Sequence, residues 1–115
     1  MNIKVTTLVE NSVKGRADGV TVIGSSAFAS CDALASITIP NGVTSIGVKA
    51  FESCDALASI TIPDSVTSIG DFVFAWCVSL TDINFGGTVE QWNALISDNT
   101  NIPQNATVHC SDGDI

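Results

Sequence analysis

Four cysteines and one histidine are the side chains in this 115-residue chain best suited to nucleophilic or metal chemistry, and their spacing argues against both uses. Cys31, Cys54 and Cys77 recur at one fixed interval. A structural zinc site draws on ligand pairs two to four residues apart, and no such pair occurs here. Residues one period apart in a stacked chain point the same way, whereas a disulfide needs side chains that face each other. Buried thiols are therefore expected, with a disulfide and a metal site as the alternatives. Cys110 is assigned to a terminal cap core. His109 stands beside it, which suggests a nucleophile and its base, but neighbours in a strand project to opposite faces. His109 is thus read as a surface or cap-packing residue. No Gly-x-Ser-x-Gly elbow surrounds any serine. Asp32 and Asp55 occupy equivalent positions, but Val78 interrupts their row, so no acidic pair for glycoside chemistry is implied. Asp112-Gly113-Asp114 is too short for a calcium loop, and Asn105-Ala106-Thr107 is a glycosylation triplet of a kind common by chance. No catalytic residue, metal ligand or cofactor is expected, and the chain is not read as an enzyme.

What remains is recognition chemistry. Ser36, Thr38, Ser59, Thr61, Asp82 and Asn84 fall on alternate positions of three short β-type segments. That parity places them on one outward face, where hydroxyl, carboxylate and amide groups suit a sugar or a peptide, or simply meet water. Phe72 and Trp76 stand where the preceding stretches carry Lys49 and Ser53, and before those Ser26 and Ser30. Exposed aromatics anchor interfaces. The competing expectation is that one of them tucks under a terminal helix.

These residues are positioned by an internal repeat. In register the chain reads VTVIGSSAFASCDALASITIPNG (20–42), VTSIGVKAFESCDALASITIPDS (43–65) and VTSIGDFVFAWCVSLTDINFGGT (66–88). The first two units agree at 17 of 23 positions and the second and third at 9, without insertion. Apolar residues return at Val20/Val43/Val66, Ile23/Ile46/Ile69, Phe28/Phe51/Phe74, Leu34/Leu57/Leu80, Ile37/Ile60/Ile83 and Ile39/Ile62/Phe85. Each unit is one coil whose apolar side chains point to a shared axis and stack on the next coil. Leu-x-x-Ile-x-Ile alternates with period two and reads as a strand, ended by Pro40 or Pro63. Val-Thr-x-Ile-Gly reads as a second extended piece, with Gly24, Gly47 and Gly70 making the bend after it. Ala-Phe-x-x-Cys reads as one helical turn. The expected class is an α/β repeat: a solenoid of three 23-residue coils with short parallel sheet.

Three divisions follow. Residues 1–19 form an N-terminal cap, with Ile3, Val5 and Leu8 in a first strand and 11–19 as a loop. Residues 20–88 are the coils, and 89–115 are a C-terminal cap. In the latter, Thr88-Val-Glu-Gln91 fits a capping box, and Trp92, Leu95 and Ile96 fall on one helical face. A polar loop, 97–105, leads to a terminal strand, Thr107–Cys110. The N-terminal cap is the thinner one, which makes a homo-oligomer through that end possible.

The unit resembles the BspA-like (bacterial surface antigen) class of leucine-rich repeats, Val-Thr-x-Ile-Gly-x-x-Ala-Phe-x-x-Cys-x-x-Leu-x-x-Ile-x-Ile-Pro. The match spans Val20 to Thr88; in the third unit Val73 replaces Ala and Gly86 replaces Pro. The stretch from Gln91 to Gly113 is similar to the ending such arrays carry, and residues 1–19 lie outside the resemblance. It implies a right-handed leucine-rich-repeat solenoid. It also implies a non-enzymatic recognition module of the surface-adhesion type, extracellular or at the cell surface, with a protein or glycan partner. The alternative is a structural or assembly module, from a phage or surface scaffold, without a dedicated ligand.

Composition bounds the partners. The chain is 45% hydrophobic and 14% charged, the balance of a folded protein rather than a disordered one. Net charge is -8, and from residue 17 onward eleven acids face one base, Lys49. Such a body repels phosphate backbones and anionic headgroups, so neither nucleic acid nor a membrane surface is an expected partner. No apolar run approaches the roughly 20 residues of a membrane span. The first residues lack the apolar stretch of a secretory signal. The chain is accordingly expected to be intracellular as it stands, mature or trimmed, or exported within something larger.

Overall fold

Stacking the three units in register produces two narrow sheets and a third wall of hydrogen-bonded turns. The computed structural model describes residues 22–96 and 102–115. The expected N-terminal cap (Ile3, Val5, Leu8 and the loop 11–19), Val20 and residues 97–101 of the polar loop lie outside the described residues.

The Val-Thr-x-Ile-Gly segments give β1 (Val22–Ile23), β3 (Ser45–Ile46) and β5 (Ser68–Ile69), paired in parallel in the order β1-β3-β5. The Leu-x-x-Ile-x-Ile segments give β2 (Ser36–Thr38), β4 (Ser59–Ile62) and β6 (Asp82–Phe85). Two further strands, β7 (Thr107–Cys110) and β8 (Gly113–Asp114), extend this sheet to the order β2-β4-β6-β7-β8. Pairing is parallel up to β7 and antiparallel between β7 and β8. Ile37, Ile60, Ile83 and Val108 stand opposite one another along it, one strand to the next. The prolines end β2 and β4 as expected, and the carbonyls of Pro40 and Pro63 accept from Val43 and Val66 to turn the chain.

Every inward column of the sequence reading that falls within the described residues is buried. The phenylalanine rings stack, Phe28 on Phe51 at 5.0 Å and Phe51 on Phe74 at 6.0 Å between centroids, with interplanar angles of 8° and 23°. Each buried Phe, Leu or Ile contributes about 1.5–3 kcal/mol, and the columns repeat that gain at every coil.

One local expectation needs correction. Ala-Phe-x-x-Cys is not a helical turn. Ser26–Ser30 and its equivalents form consecutive tight turns, with φ near +60° at Ser26, Ser30, Lys49, Ser53, Phe72 and Trp76. Alternate residues of this stretch donate to the next coil: Ser26, Phe28 and Ser30 to the carbonyls of Val48, Ala50 and Glu52 at 3.0, 2.8 and 2.8 Å. A helix would turn those N–H groups onto its own carbonyls, so the left-handed residues of the first two coils persist because each bonds to the next coil, Lys49 and Ser53 donating to the carbonyls of Asp71 and Ala75. The turns open at the repeat glycines, the carbonyls of Gly24 and Gly47 accepting from Ala27 and Ala50, and Gly47 and Gly70 have a further role. Neither has a positive φ. A Cβ on Gly47 would lie 2.5 Å from the backbone nitrogen of Ser25, and one on Gly70 2.4 Å from that of Val48. These glycines therefore also let one coil approach the next.

The last coil is closed by helix α1 (Val89–Leu95), the only α-helix among the described residues. Thr88 caps it with the reciprocal contacts of a capping box: the Gln91 N–H donates to Thr88 Oγ1, and the Thr88 N–H to Gln91 Oε1. Trp92 is buried against Phe85, ring centroids 5.2 Å apart, with Leu95 and Ile96 packed on the same core. The Asp112 carboxylate accepts from the Val89 N–H at 2.8 Å, and the Ser111 N–H donates to the Gly87 carbonyl, which ties the hairpin turn to the helix start.

Candidate functional site

Outward positions of the five-stranded sheet form two straight rows. One runs Ser36, Ser59, Asp82, Thr107 and the other Thr38, Thr61, Asn84, His109, each residue directly opposite the next. All eight are exposed or half-buried, and strand spacing sets rungs about 4.8 Å apart. The six residues singled out from sequence thus share one face, in register. Hydroxyls fill its first two rungs; the third and fourth carry a carboxylate, an amide and an imidazole.

The end of this face holds an arrangement that sequence reasoning missed. His109 Nε2 lies 2.9 Å from Asp82 Oδ1, and its Nδ1 lies 3.0 Å from Asp114 Oδ1. The Asp82 hydrogen bond, then that of Asp114, raises the imidazole above its ordinary 6.5. Asp82 is held below the usual carboxylate value by His109 and by the Thr81 hydroxyl, which donates to its Oδ2 at 2.9 Å. The parity of Thr107–Cys110 already signalled that His109 faces outward once Val108 joins the isoleucine column. The partnership with Asp114 had no such signal, because it depends on the β7–β8 hairpin.

Phe72 and Trp76 lie elsewhere, on the wall of turns. Phe72 is 38% exposed and Trp76 73%, and neither is tucked beneath α1, whose buried ring is Trp92. Trp76 separates two open grooves. One, of about 380 Å³, is lined by Phe74, Trp76, Val78, Ile102 and Pro103; the other, of about 340 Å³, by Lys49, Glu52, Phe72 and Trp76. Val78, where the first two coils carry aspartates, is 72% exposed beside Trp76. The third coil therefore carries an apolar projection where its predecessors are polar.

The cysteine column points inward. Cys31, Cys54 and Cys77 are buried and unpaired, and the Cys54 and Cys77 thiols donate to the carbonyls of Phe28 and Phe51 at 3.0 and 2.9 Å. Burial pushes the Cys31 thiol up, and the adjoining Cys77 side chain together with burial does the same to Cys54. The Cys77 thiol shifts the other way, down, through its contact with the Cys54 side chain. Burial of the whole column, with the Cys54 and Cys77 thiols committed to backbone carbonyls, gives these residues a packing role. Cys110 is half-buried against the core, on the other side of β7 from the His109 contacts. Among the described residues no three histidine, cysteine or acidic side chains converge to hold a metal.

Comparison with known proteins agrees with this geometry. The model of the BspA-type leucine-rich repeat region, described as six copies, matches residues 11–111. It thus reaches past the three units at both ends and takes in residues 11–19, which the repeat reading left out. No curated protein matches the chain. A leucine-rich cell surface protein from Faecalibacterium prausnitzii A2-165 is similar in structure, with a TM-score of 0.64 and 41% identity over 72% of this chain and 21% of its own. A leucine-rich repeat protein from Bacteroides ovatus ATCC 8483 has a TM-score of 0.63 and 31% identity over 81% of this chain and 23% of its own. The chain spans less than a quarter of the length of either protein.

Proposed function

We propose that this chain, which belongs to the BspA-type leucine-rich repeat family, is a non-enzymatic recognition module of the surface-adhesion type. Its partner is a protein or a glycan, engaged on the strand face (Ser36, Thr38, Ser59, Thr61, Asp82, Asn84) or at Phe72 and Trp76. The observation that carries this reading is the third coil. It keeps the inward columns of its predecessors while replacing outward serine, threonine, lysine and aspartate by Phe72, Trp76, Asp82, Asn84 and Val78. An exposed indole beside two grooves is the kind of anchor on which interfaces concentrate their binding energy. Repeat arrays present extended surfaces rather than a cleft of converging reactive groups, which favours binding over catalysis.

The surface-protein description of the F. prausnitzii relative supports an extracellular or cell-surface location. Its acidic body directs the module away from nucleic acid. No helix among the described residues is long and apolar enough to cross a membrane. In this reading residues 20–88 are the presenting coils, 1–19 and 89–115 cap them, and self-association, if any, uses the N-terminal end.

A binding screen of the purified chain against glycan and extracellular-protein arrays tests the proposal, with Trp76→Ala and Thr61→Lys run in parallel. Loss of a captured partner in at least one variant supports it. Interactions that survive both substitutions unchanged remove these surfaces from the account. A stable oligomer by light scattering that captures nothing makes the chain a scaffold instead.

A further inference from the structure

We propose that His109 is a proton-operated clasp: its imidazolium ties the C-terminal hairpin to the third coil, and loss of one ring proton releases the hairpin's Asp114. A neutral imidazole carries one N–H and one lone pair, whereas the imidazolium donates from both nitrogens. Here both ring nitrogens face a carboxylate oxygen, at 2.9 and 3.0 Å. Only the cation satisfies both contacts. Once neutral, the ring keeps one hydrogen bond and turns a lone pair toward the other carboxylate, which repels it.

The structure decides which carboxylate departs. Asp82 sits on β6, paired on one side with β4 and on the other with β7, and it keeps the Thr81 hydroxyl as a second donor. Asp114 sits on β8, which among the described residues pairs with β7 alone. Beyond the ring contact, this end is held by backbone bonds to β7, among them the Ile115 N–H to the Val108 carbonyl at 2.9 Å. Release therefore falls on β8, the strand that covers the outer edge of β7. The ionisable groups around the ring are few. From β6 it meets Asp82, next to the uncharged Asn84; from β8 it meets Asp114; on β7 itself Cys110 follows it in sequence. Asp112, in the connecting turn, is already committed to the Val89 N–H.

The sign follows from the direction of the shift. The folded-state value of His109 is raised. The clasp's contribution is therefore complete below the unfolded imidazole value, about 6.5, and is lost as pH rises through the folded value. The window thus opens at neutral pH and extends upward.

His109 is the only histidine in the chain, so its ring signals can be followed by NMR titration without ambiguity. The expected midpoint lies above 6.5, falls toward it in Asp114→Asn and in Asp82→Asn, and the backbone shifts of Asp114 and Ile115 follow the ring in wild type. In Asp114→Asn, where the exposed carboxylate alone changes, those backbone shifts no longer follow it. Thermal unfolding supplies a second readout: the melting temperature of wild type drops between about pH 6 and about pH 8.5 by roughly 1–4 °C more than that of His109→Gln. A midpoint at or below 6.5, backbone shifts that ignore the ring, or an equal pH effect in His109→Gln overturns the proposal.

Discussion

The interior of the stack and its outward surface obey opposite rules. Inside, Phe28, Phe51 and Phe74 or Ile37, Ile60 and Ile83 repeat the same side chain, because each coil must fit the one beneath it. Outside, the third coil departs from the first two: Phe72 for Lys49, Trp76 for Ser53, Val78 for Asp55, Asp82 for Ser59, Asn84 for Thr61. Repetition reports what the fold requires. Departure at exposed positions reports where packing does not decide the residue, and those positions are open to function.

Substitutions that pit the two regions against each other should separate by magnitude. Phe51→Ala, in the middle of the ring column and fully buried, is expected to cost about 3–5 kcal/mol in urea unfolding. Gly70→Ala comes next, at roughly 1–3 kcal/mol or more, since the new Cβ meets the Val48 backbone at 2.4 Å and cannot swing aside. Wild-type stability for Gly70→Ala would mean that the close approach is easily relaxed. Thr88→Ala removes the capping box of α1 and is expected to cost about 1 kcal/mol, with helical circular dichroism falling in step. Trp76→Ala stands at the other extreme. Its stability is expected to stay within about 0.5 kcal/mol of wild type, while a partner captured at the Phe72 and Trp76 surface is lost. A large stability loss there would place Trp76 with the interior.

The same contrast explains what the sequence disclosed. The columns were legible because a 23-residue period leaves little choice about which apolar residue meets which. The outward rows followed from strand parity, and α1 from Thr88, Gln91 and Trp92, whose signals are local. The left-handed turns were not legible, since serine and lysine at Ser26, Lys49 and Ser53 carry no intrinsic preference for φ near +60°. Hydrogen bonds between coils hold them there, and those exist only in the stack. The close backbone approach at Gly47 and Gly70 has no local signal either, because it is likewise a property of stacking. The Asp82–His109–Asp114 bridge joins three strands, the last of them two residues long and without periodic signature.

The division between a structural interior and a free exterior is tested most directly by returning four outward residues of the third coil to those of the second. That variant carries Phe72→Lys, Trp76→Ser, Val78→Asp and Asn84→Thr, and the measurement is its equilibrium unfolding in urea beside wild type. Stability within about 1 kcal/mol of wild type is the expected result, since each change touches an exposed or half-buried site. A loss comparable to that of Phe51→Ala would show that these residues serve the stack itself, and would contradict the account.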